Sequence, residues 1–398
     1  MTVESVPMPN NRREDKCPFQ PSADLVRLHR QQQLPRVPAA NPQLGAFDAV
    51  LLTRADDIRQ VLADQSCEAG FAFDRDGPRT VMNQPGILLN YDGQEHLRYR
   101  RMLVGAFTVR RVRSLTEPIR RIAEKHLDDL AEAGPGADLV ETFANPVPLM
   151  AVCELLGVPY ADRAGIARRS SIGTDVGNSL AEQLENFEAM AAYMGDLVAS
   201  ARRNPGDNIL GDLIRRHGAE LSDDELVGMG NSILVAGHET VSSMIGLGTL
   251  ALLRNPDQLA IVRDDDTAAD SMVEELLRVL SVAPPLVRQA SKAVTVNGQR
   301  IEAGEKIIAS VLMANHGADL VPEDPDRLDV RRARVAHLAF GYGAHQCIGQ
   351  HLARLELRIA LPMLLRRFPT LDLLGDPDTL SYREDALVFG LTTLPVTW

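Results

Sequence analysis

The 398-residue sequence predicts a mainly α-helical protein with a small β-region, and three observations carry that expectation. From Glu95 onward, apolar residues recur at three- and four-residue spacing over long stretches. The first ninety residues instead combine Pro and Gly with short β-branched runs such as "AVLLT" (49–53). Ser222-Asp223-Asp224-Glu225 is a capping box that opens an apolar segment running to a stop at Asn255-Pro256.

Taken in chain order, the early runs read as strands and turns. The spacing then predicts helix from Glu95 to about Gly134 and again from roughly Ala181 to Arg203. After the capping box comes one helix which, at a rise of about 1.5 Å per residue, spans roughly 45 Å. It is not a membrane span, because "AGHET" (Ala236 to Thr240) places a charge at its centre. Its Pro and Gly breaks are evenly spread and no repeat is found, so residues 1–398 are expected to form a single domain.

Composition narrows the function. A net charge of −12 disfavours a nucleic-acid partner, which needs an excess of cations to meet phosphates. The start, "MTVESVPMPNNRREDKCPF", is polar and reads as neither signal peptide nor anchor, so a cytoplasmic, monomeric protein is expected. Cys17, Cys67, Cys153 and Cys347 form no CxxC pair, which argues for a reducing compartment. Against the negative background, eight arginines and one acid, Glu117, lie between Arg98 and Arg121.

Three segments could carry chemistry. In "HLAFGYGAHQCIGQHLARLEL" (337–357), Gly341, Gly343 and Gly349 let the backbone approach something flat or bulky. The helix expected from near Ile348 turns its positive end toward the sulfur of Cys347. The ordinary reading of a lone cysteine is a small hydrophobe. A zinc site using His345, Cys347 and His351 lacks a fourth ligand, and His238-Glu239 lacks the second histidine of a zinc-protease helix. In "AGHET", Glu239 and Thr240 can border one cavity beside small Ala236-Gly237; the ordinary reading is a paired carboxylate and a hydroxyl bonded to backbone. Finally, Glu275 and Arg278 of "EELLR", with Arg327 of "DPDRLDV", are expected to form a buried structural ion cluster.

"AGHET", "EELLR", "DPDRLDV" and "FGYGAHQCIG", in that order, resemble the cytochrome P-450 superfamily, in wording the soluble bacterial class that tailors antibiotics or oxidises foreign compounds. The resemblance implies the P-450 fold, a helix-rich prism enclosing haem. It implies that Cys347 is the axial thiolate of haem b, in a loop with Phe340, Gly341 and Gly349, and that His345, Arg288, His96 and Arg100 hold the propionates. It further implies that Glu239 and Thr240 relay protons to O2 beside the gap at Ala236-Gly237. NAD(P)H would supply electrons through ferredoxin reductase and an acidic ferredoxin, docked on the arginine-rich helix. The sequence departs from the family in "YDGQEH", where "DPPEH" is usual, and in "ANHGAD", where "ANRDP" is common.

The function expected from the resemblance is insertion of one atom of O2 into a lipophilic small molecule, a secondary metabolite, by hydroxylation, epoxidation or oxidative ring formation. A xenobiotic-oxidising monooxygenase, a haem-binding sensor or carrier without turnover, and a non-haem metal enzyme using His345 and Cys347 are the rivals. A sensor has no need of the Glu239–Thr240 pair. The substrate pocket is expected along Phe71 to Leu89, Gly173 to Met194, Ala283 to Val287 and Val388 to Leu391, all mainly apolar.

Overall fold

A run that is apolar at every position forms a strand only where both of its faces are covered, and "AVLL" is such a run. In a computed structural model, which describes residues 13–14, 17–41, 45–70, 84–174, 180–383 and 386–398, it lies in the strand Gly45–Leu52. Val50 and Leu52 face one core with Ile58, Val61, Ile307 and Leu338. Ala49 and Leu51 face another with Leu25, Val37, Ile308 and Met313. The two-residue period of a strand produces this division.

The chain divides into two units. The first comprises Met1–Ala72, Ser243–Cys347 and Leu364–Trp398. It holds a five-stranded sheet in the order Arg36–Asn41, Gly45–Leu52, Lys306–Ala309, Leu286–Ala290 and Cys67–Glu68. Gly45–Leu52 and Lys306–Ala309 run parallel, with Leu51 opposite Ile308, and the other pairs are antiparallel. The helices Ala55–Ala63, Pro256–Asp264, Ala269–Leu280 and Val311–Asn315 belong to the same unit.

The second unit, Phe73–Ser242 and Ile348–Met363, is helical. The helix expected from Glu95 to about Gly134 is three: Gly93–Ala106, Val109–Ser114 and Thr116–Ala133. Thr108 makes the first break, its hydroxyl accepting the Arg111 N–H as a new N-cap. Such a cap is invisible to a hydrophobic period that continues across it. The segment read from Ala181 to Arg203 is the helix Leu180–Arg203.

The central helix is Asp223–Leu253, and its capping box makes both bonds: Glu225 N–H to Ser222 Oγ at 3.1 Å and Ser222 N–H to Glu225 Oε2 at 2.7 Å. This helix is long and apolar enough to cross a membrane, but 72% of its most apolar window is buried inside the fold. It is a core helix.

Candidate active site

The loop around the cysteine is shaped by backbone bonds. Gly341 N–H donates to Leu338 O, Gln346 N–H to Gly343 O, and Cys347 N–H to Phe340 O at 2.9 Å, closing a turn on itself. Gly341 and Gly343 sit at φ +68° and +73°. At Gly343 a Cβ would lie 2.2 Å from Leu62 O, so only glycine allows the loop to rest on the helix Ala55–Ala63. The thiol of Cys347 is left exposed, and the next helix, Gln350–Arg367, starts three residues later. Gly349 supplies the first acceptor of that helix, its carbonyl taking the Leu352 N–H.

Two of the other three thiols differ. Burial pushes both Cys67 and Cys153 up to about 11, which keeps them protonated and inert. Arg288 lies on the strand Leu286–Ala290, 7% exposed, with one guanidinium nitrogen donating to Val287 O. His345 is half-buried in the short turn Gly343–His345 of the cysteine loop.

In the second unit, His96 and Arg100 stand one turn apart on the helix Gly93–Ala106, on a common face. His96 is 1% exposed. Their helix is tied to the start of the central helix: Arg98 and Tyr99 both donate to Glu225. Burial alone would raise the Glu225 carboxyl, but these bonds and the Ser222 N–H outweigh it and hold it below the usual range.

Midway along the central helix an exposed strip interrupts the apolar surface. Val235 is 58% exposed, Ala236 is exposed, and Glu239 and Thr240 are half-buried. Thr240 Oγ1 donates to Ala236 O at 2.9 Å, the local bond that a mid-helix threonine makes when its turn is under no other demand. At Gly237 a Cβ would meet Val152 Cγ2 at 2.8 Å, so its smallness allows close packing against the helix Pro146–Leu156. Ala236 is exposed and Gly237, like Glu239 and Thr240, is half-buried.

One further expectation changes. Glu275 and Arg278 are buried and paired through two 2.8 Å bonds, but the second arginine on Glu275 is Arg332, at 3.0 Å, whereas Arg327 lends only its backbone carbonyl to the cluster. Burial would raise Glu275; its bonds from Arg278, then Arg332 and the Asp329 N–H, hold it below the usual carboxylate range. In the arginine-rich stretch, Arg98 is engaged by Glu225 and Arg111 by Asp207 and Asp212, while Arg101, Arg110, Arg113, Arg120 and Arg121 are exposed. Of the expected pocket segments, residues 71–83 and 175–179 lie outside the described residues. Asn315 and His316 were not singled out in the sequence, although His316 stands in the departing "ANHGAD" motif.

The family model described as "Cytochrome P450" matches residues 197–396. Cytochrome P450-SU2 of Streptomyces griseolus is 37% identical over 388 residues, covering 96% of this chain and 94% of the relative. Cytochrome P450 GfsF of Streptomyces halstedii is 39% identical over 409 residues, covering 100% of this chain and 97% of its own, and its crystal structure superposes with a TM-score of 0.88. The structure of P450 StaH from glycopeptide antibiotic A47934 biosynthesis matches at 40% identity and a TM-score of 0.89, covering 98% of this chain and all of that one. These matches define the class, a haem-dependent bacterial oxygenase. The chain belongs to the cytochrome P450 family and is a monooxygenase, an oxidoreductase.

The family's cofactor is haem, its iron held by a cysteine thiolate. The residues present fit it. An exposed cysteine lies in a loop flattened by two left-handed glycines.

Proposed function

We propose that this enzyme inserts one atom of O2 into a lipophilic small molecule, with Cys347 as the thiolate ligand of haem b. The observation that carries the reading is the exposed Cys347 in its glycine loop, where Cys67 and Cys153 are buried. When bound, haem supplies the activation of oxygen. The balance of the reaction is R–H, O2, two electrons and two protons giving R–OH and water. The electrons come from NAD(P)H through ferredoxin reductase and an acidic ferredoxin.

The chain's residues do the rest. Phe340 and Gly341 shape the loop, His96, Arg100, Arg288 and His345 supply cationic or donor groups for two propionates, and Ala236 with Gly237 leaves room on the central helix. Glu239 collects protons and Thr240 presents its hydroxyl oxygen as their acceptor. A secondary metabolite is the favoured substrate class, because StaH is named from an antibiotic biosynthesis; oxidation of foreign compounds is the alternative. A soluble, monomeric role in the cytoplasm accords with this reading.

The test is the absorption spectrum of the reduced, CO-bound protein. A thiolate ligand gives a red-shifted Soret band, which Cys347→Ser should abolish while far-UV dichroism is kept. The same band in the serine variant would remove Cys347 from its role.

A further inference from the structure

Ahead of the helix Pro146–Leu156 the backbone takes an uncommon course. Asn145 N–H donates to Val140 O, five residues back, at 2.9 Å, so Val140–Ala144 is a π-turn. The stretch "ANPVP" gives the reason: Pro146 and Pro148 have no N–H with which to continue an α ladder, and the chain restarts at Pro146. Single π-turns are rare and cluster at functional sites. The extra residue rotates everything after it by about 100°, one residue's share of a helical turn.

The side chain that this turn presents is Asn145. Its Oδ1 accepts the hydroxyl of Ser242, which lies on the central helix Asp223–Leu253 and is 4% exposed. Seven residues on, the fully buried Val152 fills the space beside Gly237, where a Cβ would lie 2.8 Å from Val152 Cγ2. All four residues belong to the second unit. The helix Pro146–Leu156 and its N-cap, Asn145, therefore hold the central helix at two points, one directional and one steric, and Glu239 and Thr240 lie between those points.

The two contacts do different work. Close packing at Gly237 sets how near the helices come, whereas a hydroxyl donating to an amide oxygen also sets rotation about the helix axis. Thr240 has no such control, because its bond to Ala236 O stays within its own helix. Rotation matters to a relay, since a misplacement of about 1 Å can cost about 100-fold in rate.

We propose that Asn145 and Ser242 are positioning residues for proton delivery. With the Gly237–Val152 contact they fix the rotation of the turn that carries Glu239 and Thr240, and they act through that pair. The inference rests on the reading of Glu239 and Thr240 as the proton relay. Neither Asn145 nor Ser242 is marked in the sequence, because the π-turn that brings them together follows from where a proline interrupts a ladder.

Two readouts on the purified holoenzyme test it. The first is amide hydrogen exchange of residues 236–243, which needs no turnover. The second is the ratio of peroxide to water formed when NADPH reduces the enzyme through a plant ferredoxin and its reductase. Two electrons and two protons release O2 as H2O2, whereas four of each take it to two H2O, so poor proton delivery raises the ratio. Ser242→Ala and Asn145→Ala should each speed exchange of 236–243 and raise the ratio about tenfold, the scale of one hydrogen bond. The CO-bound Soret band should be unaltered. Asn145→Asp, which keeps an acceptor oxygen in place, should restore both towards the wild type. Gly237→Ala should raise the ratio, and adding Val152→Ala should lower it again by making room for the new methyl group. If Asn145→Ala fails to fold, Ser242→Ala, which removes a single oxygen, decides. Unchanged exchange in Ser242→Ala would overturn the hold on the helix. Faster exchange with an unchanged ratio would overturn its bearing on the reaction. Thr240→Ala separates the two readings. An unaltered ratio there means that the relay reading fails and takes this role with it, whereas a raised ratio in Thr240→Ala alone means that only the positioning role fails.

Discussion

Thr240 has already committed its hydroxyl proton to Ala236 O, so what it offers toward the exposed strip is oxygen lone pairs. Delivery of a proton through Thr240 thus requires a donor, and Glu239 is the adjacent acid. Replacing either residue by Ala should leave substrate-induced spectral shifts in place while uncoupling NAD(P)H consumption from product, with product formation down about 10²–10⁴-fold. Coupling unchanged in both variants would leave them structural. This pair, like Cys347, is proposed from the sequence because its neighbours are chemically odd for their setting: an acid in a buried helix, a thiol among glycines. Glu356 was not legible, since an acid in "ARLELR" looks like any solvated helix position. It is 0% exposed, and burial holds its carboxyl protonated, well above the usual range. The unfolded chain releases that proton at ordinary carboxylate pH, so stability should fall as pH rises from there toward the raised folded value. Glu356→Gln should abolish this fall and gain about 1.4 kcal/mol for each pH unit spanned, measured as the unfolding midpoint against pH.

At the scale of elements, the Glu275 cluster joins the helix Ala269–Leu280 to the loop that precedes the cysteine segment. Arg278 reaches Asn315 O and Pro325 O, while Arg332 reaches Glu275 and the carbonyls of Glu323, Asp324 and Arg327. Glu275→Ala strands a fully buried guanidinium and should cost roughly 3–5 kcal/mol in chemical denaturation. Arg332→Ala should also destabilise, and Arg327→Ala should be close to neutral, because its side chain is not what the cluster uses. Equal losses at Arg327 and Arg332 would contradict that assignment. The sequence revealed the Glu–Arg pair because it lies at i, i+3 on one helix. It misassigned the third member because choosing between Arg327 and Arg332 depends on how a loop turns. For the same reason the central helix was readable end to end, with its cap and stop both local, whereas the break at Thr108 was not.

Over the whole molecule, the net charge of −12 coexists with exposed Arg101, Arg110, Arg113, Arg120 and Arg121 on consecutive helices of one unit. Unlike-charged faces steer association, and screening falls off over about 8 Å at physiological salt. Reversing Arg101 and Arg113 to Glu should slow reduction by an acidic ferredoxin severalfold and flatten its salt dependence, with dithionite reduction unchanged. Reversing Arg98 or Arg111 should instead lower stability, because each already holds an acid. Stopped-flow reduction and thermal melts separate the two groups.

The strand Gly45–Leu52 pairs in parallel with Lys306–Ala309, which the ribosome makes more than two hundred residues later. At about 5–20 residues per second, that interval is on the order of 10–50 s. Throughout it, the wholly apolar "AVLL" has emerged without the strand that completes its sheet, free to associate with its copies. Yield in a heterologous host should accordingly be set by this waiting time, improving with slower initiation or added chaperone more than with any substitution that stabilises the finished protein.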